Sequence, residues 1–263
     1  MNPIDTLFQT LRAAKRKAFM PFVTVGDPDL AFTRDLIPAV AESGADLIEV
    51  GFPFSDPIAD GPVIQASYTR ALAHQIKLAD IFATLGSVKP GVPLVSMASY
   101  SLMFKRGPAA FIDAAKAAGV SGAVVPDLPV EEAEELSKLA ADRDFKLILL
   151  VTPTTSPARA AKVVKACSGF VYVVSVVGIT GERAKVSAGV PELLARLRTM
   201  TDLPLCVGFG VSRPEHVRDL KEIADGVIVG SALVKKLEAA GTDRAAGLAS
   251  VRQLVKELSG ALA

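Results

Sequence analysis

Glu49 interrupts an otherwise apolar run, Asp46-Leu47-Ile48-Glu49-Val50-Gly51, near its C-terminal end. Alternation along an extended strand puts Leu47 and Glu49 on one face and Ile48 and Val50 on the other. Were that face the interior of a barrel, desolvation would disfavour the carboxylate and raise its pKa toward the working pH, as a general acid or base requires. A buried Glu paired to a Lys or Arg would satisfy the same pattern. A second carboxylate, Asp60, stands eleven residues on, near the end of Phe52-Pro53-Phe54-Ser55-Asp56-Pro57-Ile58-Ala59-Asp60-Gly61-Pro62, whose three prolines make it too stiff for an idle linker. Asp60 suits two roles there: the N-cap of a helix opening at Gly61-Pro62, or a partner held back over the strand ends near Glu49.

Three glycine-rich joints lie later in the chain: Gly178-Ile179-Thr180-Gly181, Gly208-Phe209-Gly210-Val211-Ser212 and Gly230-Ser231. Glycines let backbone N–H groups approach an anion, and Ser231 is placed to cap a short helix over 232–236 whose N-terminus would point at that anion. Each pair alone is no more than a turn requires. Three in succession favour a phosphorylated substrate. Residues 181–189, bounded by glycine and mixed in charge, read either as a lid over bound substrate or as an ordinary exposed loop.

Groups placed this way need a scaffold that gathers loop ends. Eight runs rich in β-branched residues, at 19–25, 46–51, 93–98, 122–126, 146–151, 170–176, 204–209 and 226–230, alternate with helical patterns at 30–43, 63–73, 109–118, 130–141, 158–166, 191–200, 214–223 and 244–258. Strands alternating with helices argue for a parallel sheet. Eight such units in this length fit a closed (β/α)8 TIM barrel, with reacting groups at the C-terminal ends of the strands. An extra N-terminal helix over 3–14 would cover the bottom, and the short helix after strand eight would face the anion. An open doubly wound sheet is the competitor, but its GxGxxG signature is absent: the first strand ends in Val25-Gly26-Asp27-Pro28. No linker-like segment divides the chain, so residues 1–263 read as one domain.

Composition narrows the partners. The chain is 50% apolar and carries 29 Lys and Arg against 28 Asp and Glu, so no strong field draws nucleic acid or anionic lipid. Its apolar runs are far shorter than the roughly 20 residues that span a bilayer, and the expected location is the cytoplasm. Cys167 and Cys206, far apart and without a CxxC, read as reduced structural thiols. His74 and His216 are isolated, which argues against a metal site.

FMPFVTVGDP (19–28), EVGFPFSDPIADGPVIQ (49–65), VVPDLPVEE (124–132), YVVSVVGITG (172–181), GFGVSRP (208–214) and VGSALV (229–234) closely resemble the tryptophan synthase alpha subunit family, over essentially the whole chain. The resemblance implies a lyase that splits indole-3-glycerol phosphate into indole and glyceraldehyde 3-phosphate. It implies Glu49 and Asp60 as catalytic carboxylates with Tyr172 beside them; Gly181, Gly210, Gly230 and Ser231 around the substrate phosphate; Phe22, Met97 and Phe209 walling the indole; and Thr180 as a further substrate-binding residue. Asp127 matches an aspartate that helps hold the lid. No cofactor is implied in this chain, and the partner is a pyridoxal-phosphate-dependent beta subunit in an α2β2 assembly, with the Pro-stiffened 53–60 loop as a docking surface. One departure concerns the indole pocket: Ser99-Tyr100-Ser101 stands where the family often has Tyr-Tyr-Asn.

Breaking the bond at indole C3 directly would leave an unstabilised carbanion, so the ring is expected to be protonated at C3 first. Asp60 would accept from indole N1–H, and Glu49 would give a proton to C3 and take one from the side-chain hydroxyl. Rival readings are another phosphate-binding barrel enzyme and a non-catalytic regulatory subunit. Schiff-base chemistry would want a Lys at a strand end, and the strand runs hold only Lys146, at the start of the fifth and so at the wrong end.

Overall fold

The structure is a computed structural model that describes residues 1–175, 189–208 and 210–262. In chain order the elements are α1 (Pro3–Ala13), β1 (Ala18–Thr24), α2 (Leu30–Glu42), β2 (Ile48–Gly51), α3 (Pro62–Ala73), α4 (Leu78–Ser87) and β3 (Leu94–Met97). There follow α5 (Tyr100–Arg106), α6 (Pro108–Ala117), β4 (Val120–Val124), a 3-10 turn (Val130–Glu132), α7 (Glu134–Asp142), β5 (Lys146–Ile148) and β6 (Leu150–Val151). The chain continues with α8 (Pro157–Ala166), β7 (Val171–Val174), α9 (Gly189–Arg198), β8 (Leu205–Gly208), α10 (Pro214–Lys221), β9 (Gly226–Val229), α11 (Ser231–Ala240) and α12 (Arg244–Gly260). Proline at the first turn opens α3, α6, α8 and α10, where its fixed φ suits the helix and its missing N–H has no partner to lose.

All strand pairs are parallel and run in the order β5-β4-β3-β2-β1-β9-β8-β7-β6. β5 and β6 are the two halves of the expected fifth strand, separated by Leu149 alone. The first half pairs with β4 and the second with β7, which brings the sheet round into a (β/α)8 barrel.

The strands have two apolar faces. Outward residues such as Ile48, Val50, Val173 and Val227 pack under the helices, while Met20, Leu47, Val95, Ile148, Tyr172 and Ile228 fill the barrel. At the bottom, Ile4, Phe8 and Leu11 of α1 join the inner cluster, with the Phe8 and Phe170 rings 5.9 Å apart. Asn2 fixes this plug: its side chain accepts from Ile4 N and donates to the carbonyls of Ser121 and Asp144 at 3.0 and 2.8 Å. Lys146 lies at this end, paired to Asp5 at 2.6 Å and away from the strand ends that make the mouth.

Besides the split fifth strand and the 3-10 turn that opens the helix expected at 130–141, three elements differ from the sequence reading. α4 occupies 78–87, where no helix was expected, although Ile81, Phe82 and Leu85 form a buried stripe and Asp80 accepts from Lys77 N. α5 is short and is started partly by Asp127, a residue far off in sequence, so local pattern does not reveal it. The helix after the last strand runs over Ser231–Ala240 rather than 232–236, with Gly230 as its N-cap. Ser231 is its first helical residue, and the expectation that Ser231 caps it is corrected accordingly.

Candidate active site

Period-two alternation places Glu49 inside the barrel, in register between Phe22 of β1 and Val95 of β3. The side chain is 1% exposed and its Oε1 has no hydrogen-bond partner. No Lys or Arg pairs with it among the described residues. Burial, and then the charge of Asp60, push Glu49 up to about 8.

Asp60 reaches the same cleft from the loop after β2. That loop is tied down by backbone bonds, Phe52 N to Met97 O and Asp60 N to Pro57 O, and by the Gln65 amide donating to Asp60 O at 2.8 Å. The N-cap of α3 is Gly61, with no side-chain bond, so Asp60 is not spent as a cap. Burial, and then the Asp127 carboxylate, push it up to about 7.

Two phenols stand against this pair. Tyr68 and Tyr172 are both buried, and burial followed by the charges of Asp60 and Glu49 drives their hydroxyls well above the usual range, so both stay neutral. Glycines make the room: a Cβ on Gly208 would lie 2.4 Å from the Tyr172 hydroxyl oxygen, and one on Gly51 would lie 2.3 Å from the Phe22 ring.

Phe22, Glu49, Asp60, Met97, Tyr172, Gly210, Gly230 and Ser231 line one cleft. Gly210 holds φ +79°, a conformation that glycine adopts without strain. Asp127 lies in a neighbouring hollow on the far side of Asp60, accepting from Ser99 Oγ at 2.6 Å and Tyr100 N at 2.7 Å. Ser99, part of the departure from the family pattern, is thus engaged at the start of α5. Thr180, Gly181, Phe209 and most of the expected lid lie outside the described residues.

The sequence reading missed Val63, Ile64, Val211, Ser212, Ile228 and Lys235 on the cleft wall. Two had a signal: Lys235 follows Ser231 by one helical turn, and Ser212 belongs to the GFGxS motif. Among the described residues no three His, Cys, Asp or Glu side chains converge as a metal ion would require.

A parallel barrel with two carboxylates at the C-terminal mouth of its strands, Glu49 buried and Asp60 half-buried, defines the class, a TIM-barrel enzyme. The family model described as tryptophan synthase alpha chain matches residues 8–263. The tryptophan synthase alpha chain of Rhodopirellula baltica is 48% identical over 242 residues, 90% of this chain and 87% of that one. That of Synechocystis is 47% identical over the full length of both. Among solved structures, tryptophan synthase from Mycobacterium tuberculosis superposes with TM-score 0.91 at 35% identity, over 99% of this chain and 98% of that one. The alpha subunit from Legionella pneumophila gives 0.88 at 34%, over 100% and 98%. The chain belongs to the tryptophan synthase alpha chain family.

Proposed function

We propose that this chain carries out the alpha reaction of tryptophan biosynthesis in the cleft of Glu49 and Asp60, as a lyase that cleaves indole-3-glycerol phosphate to indole and glyceraldehyde 3-phosphate. The observation that carries the reading is a pair of carboxylates on the wall of one cleft, Glu49 buried with an oxygen left unpartnered and Asp60 half-buried, both pushed up toward neutral pH first by burial. Carboxyl groups raised in this way can hold or release a proton near neutral pH.

That state suits the chemistry. Asp60 accepts from indole N1–H and stabilises positive charge on the ring as Glu49 delivers its proton to C3. The bond from C3 to the side chain then breaks, its electrons return to the ring, and Glu49 takes the proton of the side-chain hydroxyl as that carbon becomes an aldehyde. One proton is given and one taken. Phe22, Met97 and Phe209 wall the indole with Tyr172 beside the carboxylates, Thr180 binds substrate, and Gly181, Gly210, Gly230 and Ser231 hold the phosphate, with α11 presenting its N-terminus. Asp127 holds the lid and, through Ser99 and Tyr100, the start of α5. The chain works as one domain over 1–263, without a cofactor of its own. Its partner is the pyridoxal-phosphate-dependent beta subunit in an α2β2 assembly, docked at the 53–60 loop, in the cytoplasm.

The test is release of indole and glyceraldehyde 3-phosphate from indole-3-glycerol phosphate, with and without a beta subunit, for wild type and Glu49→Gln. Cleavage that rises with the partner and vanishes in the variant is expected. Substantial turnover by Glu49→Gln would sink the assignment of Glu49.

A further inference from the structure

Among the described residues, three buried side-chain polar atoms have no hydrogen-bond partner: Glu49 Oε1, Arg196 Nε and Ser212 Oγ. Glu49 and Ser212 belong to the wall of the same cleft. A packing role does not explain an unpaired hydroxyl, because alanine would fill nearly the same space without burying an unsatisfied oxygen. The proposed reaction accounts for the open oxygen of Glu49. It leaves that of Ser212 unexplained.

Ser212 lies in the loop from β8 to α10, two residues after Gly210, and shares the cleft wall with Gly230, Ser231 and Ala232 at the start of α11. Its backbone N–H donates to Nδ1 of buried His216 at 3.4 Å, which ties the loop to α10. Its hydroxyl is not used to start that helix: the N-cap of α10 is Arg213, with no side-chain bond. The main chain of Ser212 is therefore anchored, while its hydroxyl, enclosed and without a partner, is left over on a residue of the cleft wall.

We propose that the Ser212 hydroxyl is a further ligand of the substrate phosphate, donating to one of its oxygens and setting preference for a phosphate ester over the free glycerol side chain. This rests on the reading that the cleft takes a phosphorylated substrate. A donor to a charged oxygen makes a stronger bond than one between neutral groups, and the anion supplies the partner that the hydroxyl lacks.

The experiment uses the full chain with its beta subunit and compares wild type, Ser212→Ala and Ser212→Thr. Three quantities are read: KM against kcat for indole-3-glycerol phosphate, the inhibition constant of inorganic phosphate competing with that substrate, and the melting temperature without phosphate. Ser212→Ala is expected to weaken phosphate about ten-fold and raise KM by a similar factor, with the melting temperature unchanged or higher. Ser212→Thr, which keeps the hydroxyl, is expected to retain most of the phosphate affinity. Unchanged phosphate affinity in Ser212→Ala overturns the proposal, as does a fall in its melting temperature, which would give the hydroxyl a structural duty. If wild type binds phosphate in a Ser212-dependent way yet cleaves nothing, the proposed activity fails and the Ser212 assignment stands.

Discussion

A carboxyl group inside a barrel answers to pH differently from one in water. Glu49 has its folded-state pKa raised from 4.5 to about 8, so stability is highest below the lower value and is lost as pH rises through the upper one. Glu49→Gln, neutral at every pH, is expected to be more stable than wild type at pH 8 to 9, by a few kcal/mol, with a higher unfolding temperature there and nearly the same one near pH 4. Calorimetry across that range checks it. The rate should obey the same pair: kcat/KM is expected to rise as Asp60 ionises near 7 and to fall as Glu49 loses its proton near 8. A profile flat across that window would break the division of labour between them. Both carboxylates were legible as candidates from type and spacing. What spacing could not decide was whether Glu49 had a basic partner and whether Asp60 served as a cap. Those questions turn on contacts between residues far apart in the chain.

At the scale of elements, the site depends on glycines that yield space and on ties between loops. Gly208→Ala would force the Tyr172 hydroxyl, 2.4 Å from the new methyl, out of its place. The expected result is a loss of about 2 kcal/mol of stability from overpacking and a raised KM, read by urea unfolding and steady-state kinetics. Arg70 of α3 donates from Nε and Nη2 to both oxygens of buried Asp27, at 2.9 and 2.8 Å, and from Nη1 to Glu238 of α11. Arg70→Met would leave Asp27 buried without its cation, costing about 3 kcal/mol in chemical unfolding, and adding Asp27→Asn should recover part of that. Strands were the most readable elements, since parallel strands buried on both faces spell apolar runs. Less readable was α5, because its N-cap Ser99 is helped by Asp127, which comes from the loop after β4 and accepts from Tyr100 N. α4 carried its own stripe of Ile81, Phe82 and Leu85, hidden between longer and plainer patterns.

For the whole molecule, the bottom and the mouth of the barrel do separate work. Phe8 of α1 is packed against Phe170 at the end away from the cleft. Phe8→Ala is expected to cost about 3 kcal/mol of stability while leaving KM for substrate unchanged, measured by urea unfolding and initial rates. A KM change there would mean that the plug and the mouth are coupled. The N-terminal helix was legible as a cover, but what it seals with, the bonds from Asn2 to the Ser121 and Asp144 carbonyls, depends on where the chain returns.

The interruption of the fifth strand at Leu149 divides the ring into two arcs that meet again at β1. One arc, β2 to β5, supplies Glu49, Asp60, Met97 and Asp127; the other, β6 to β9, supplies Tyr172 and the loops of Gly210, Ser212, Gly230 and Ser231. On the proposed reading the indole nucleus is protonated from the first arc while the phosphate is gripped by the second, so the bond that breaks straddles the seam. Either arc by itself would be half an instrument, a proton donor with nothing held in front of it or an anion clasp with nothing to cut.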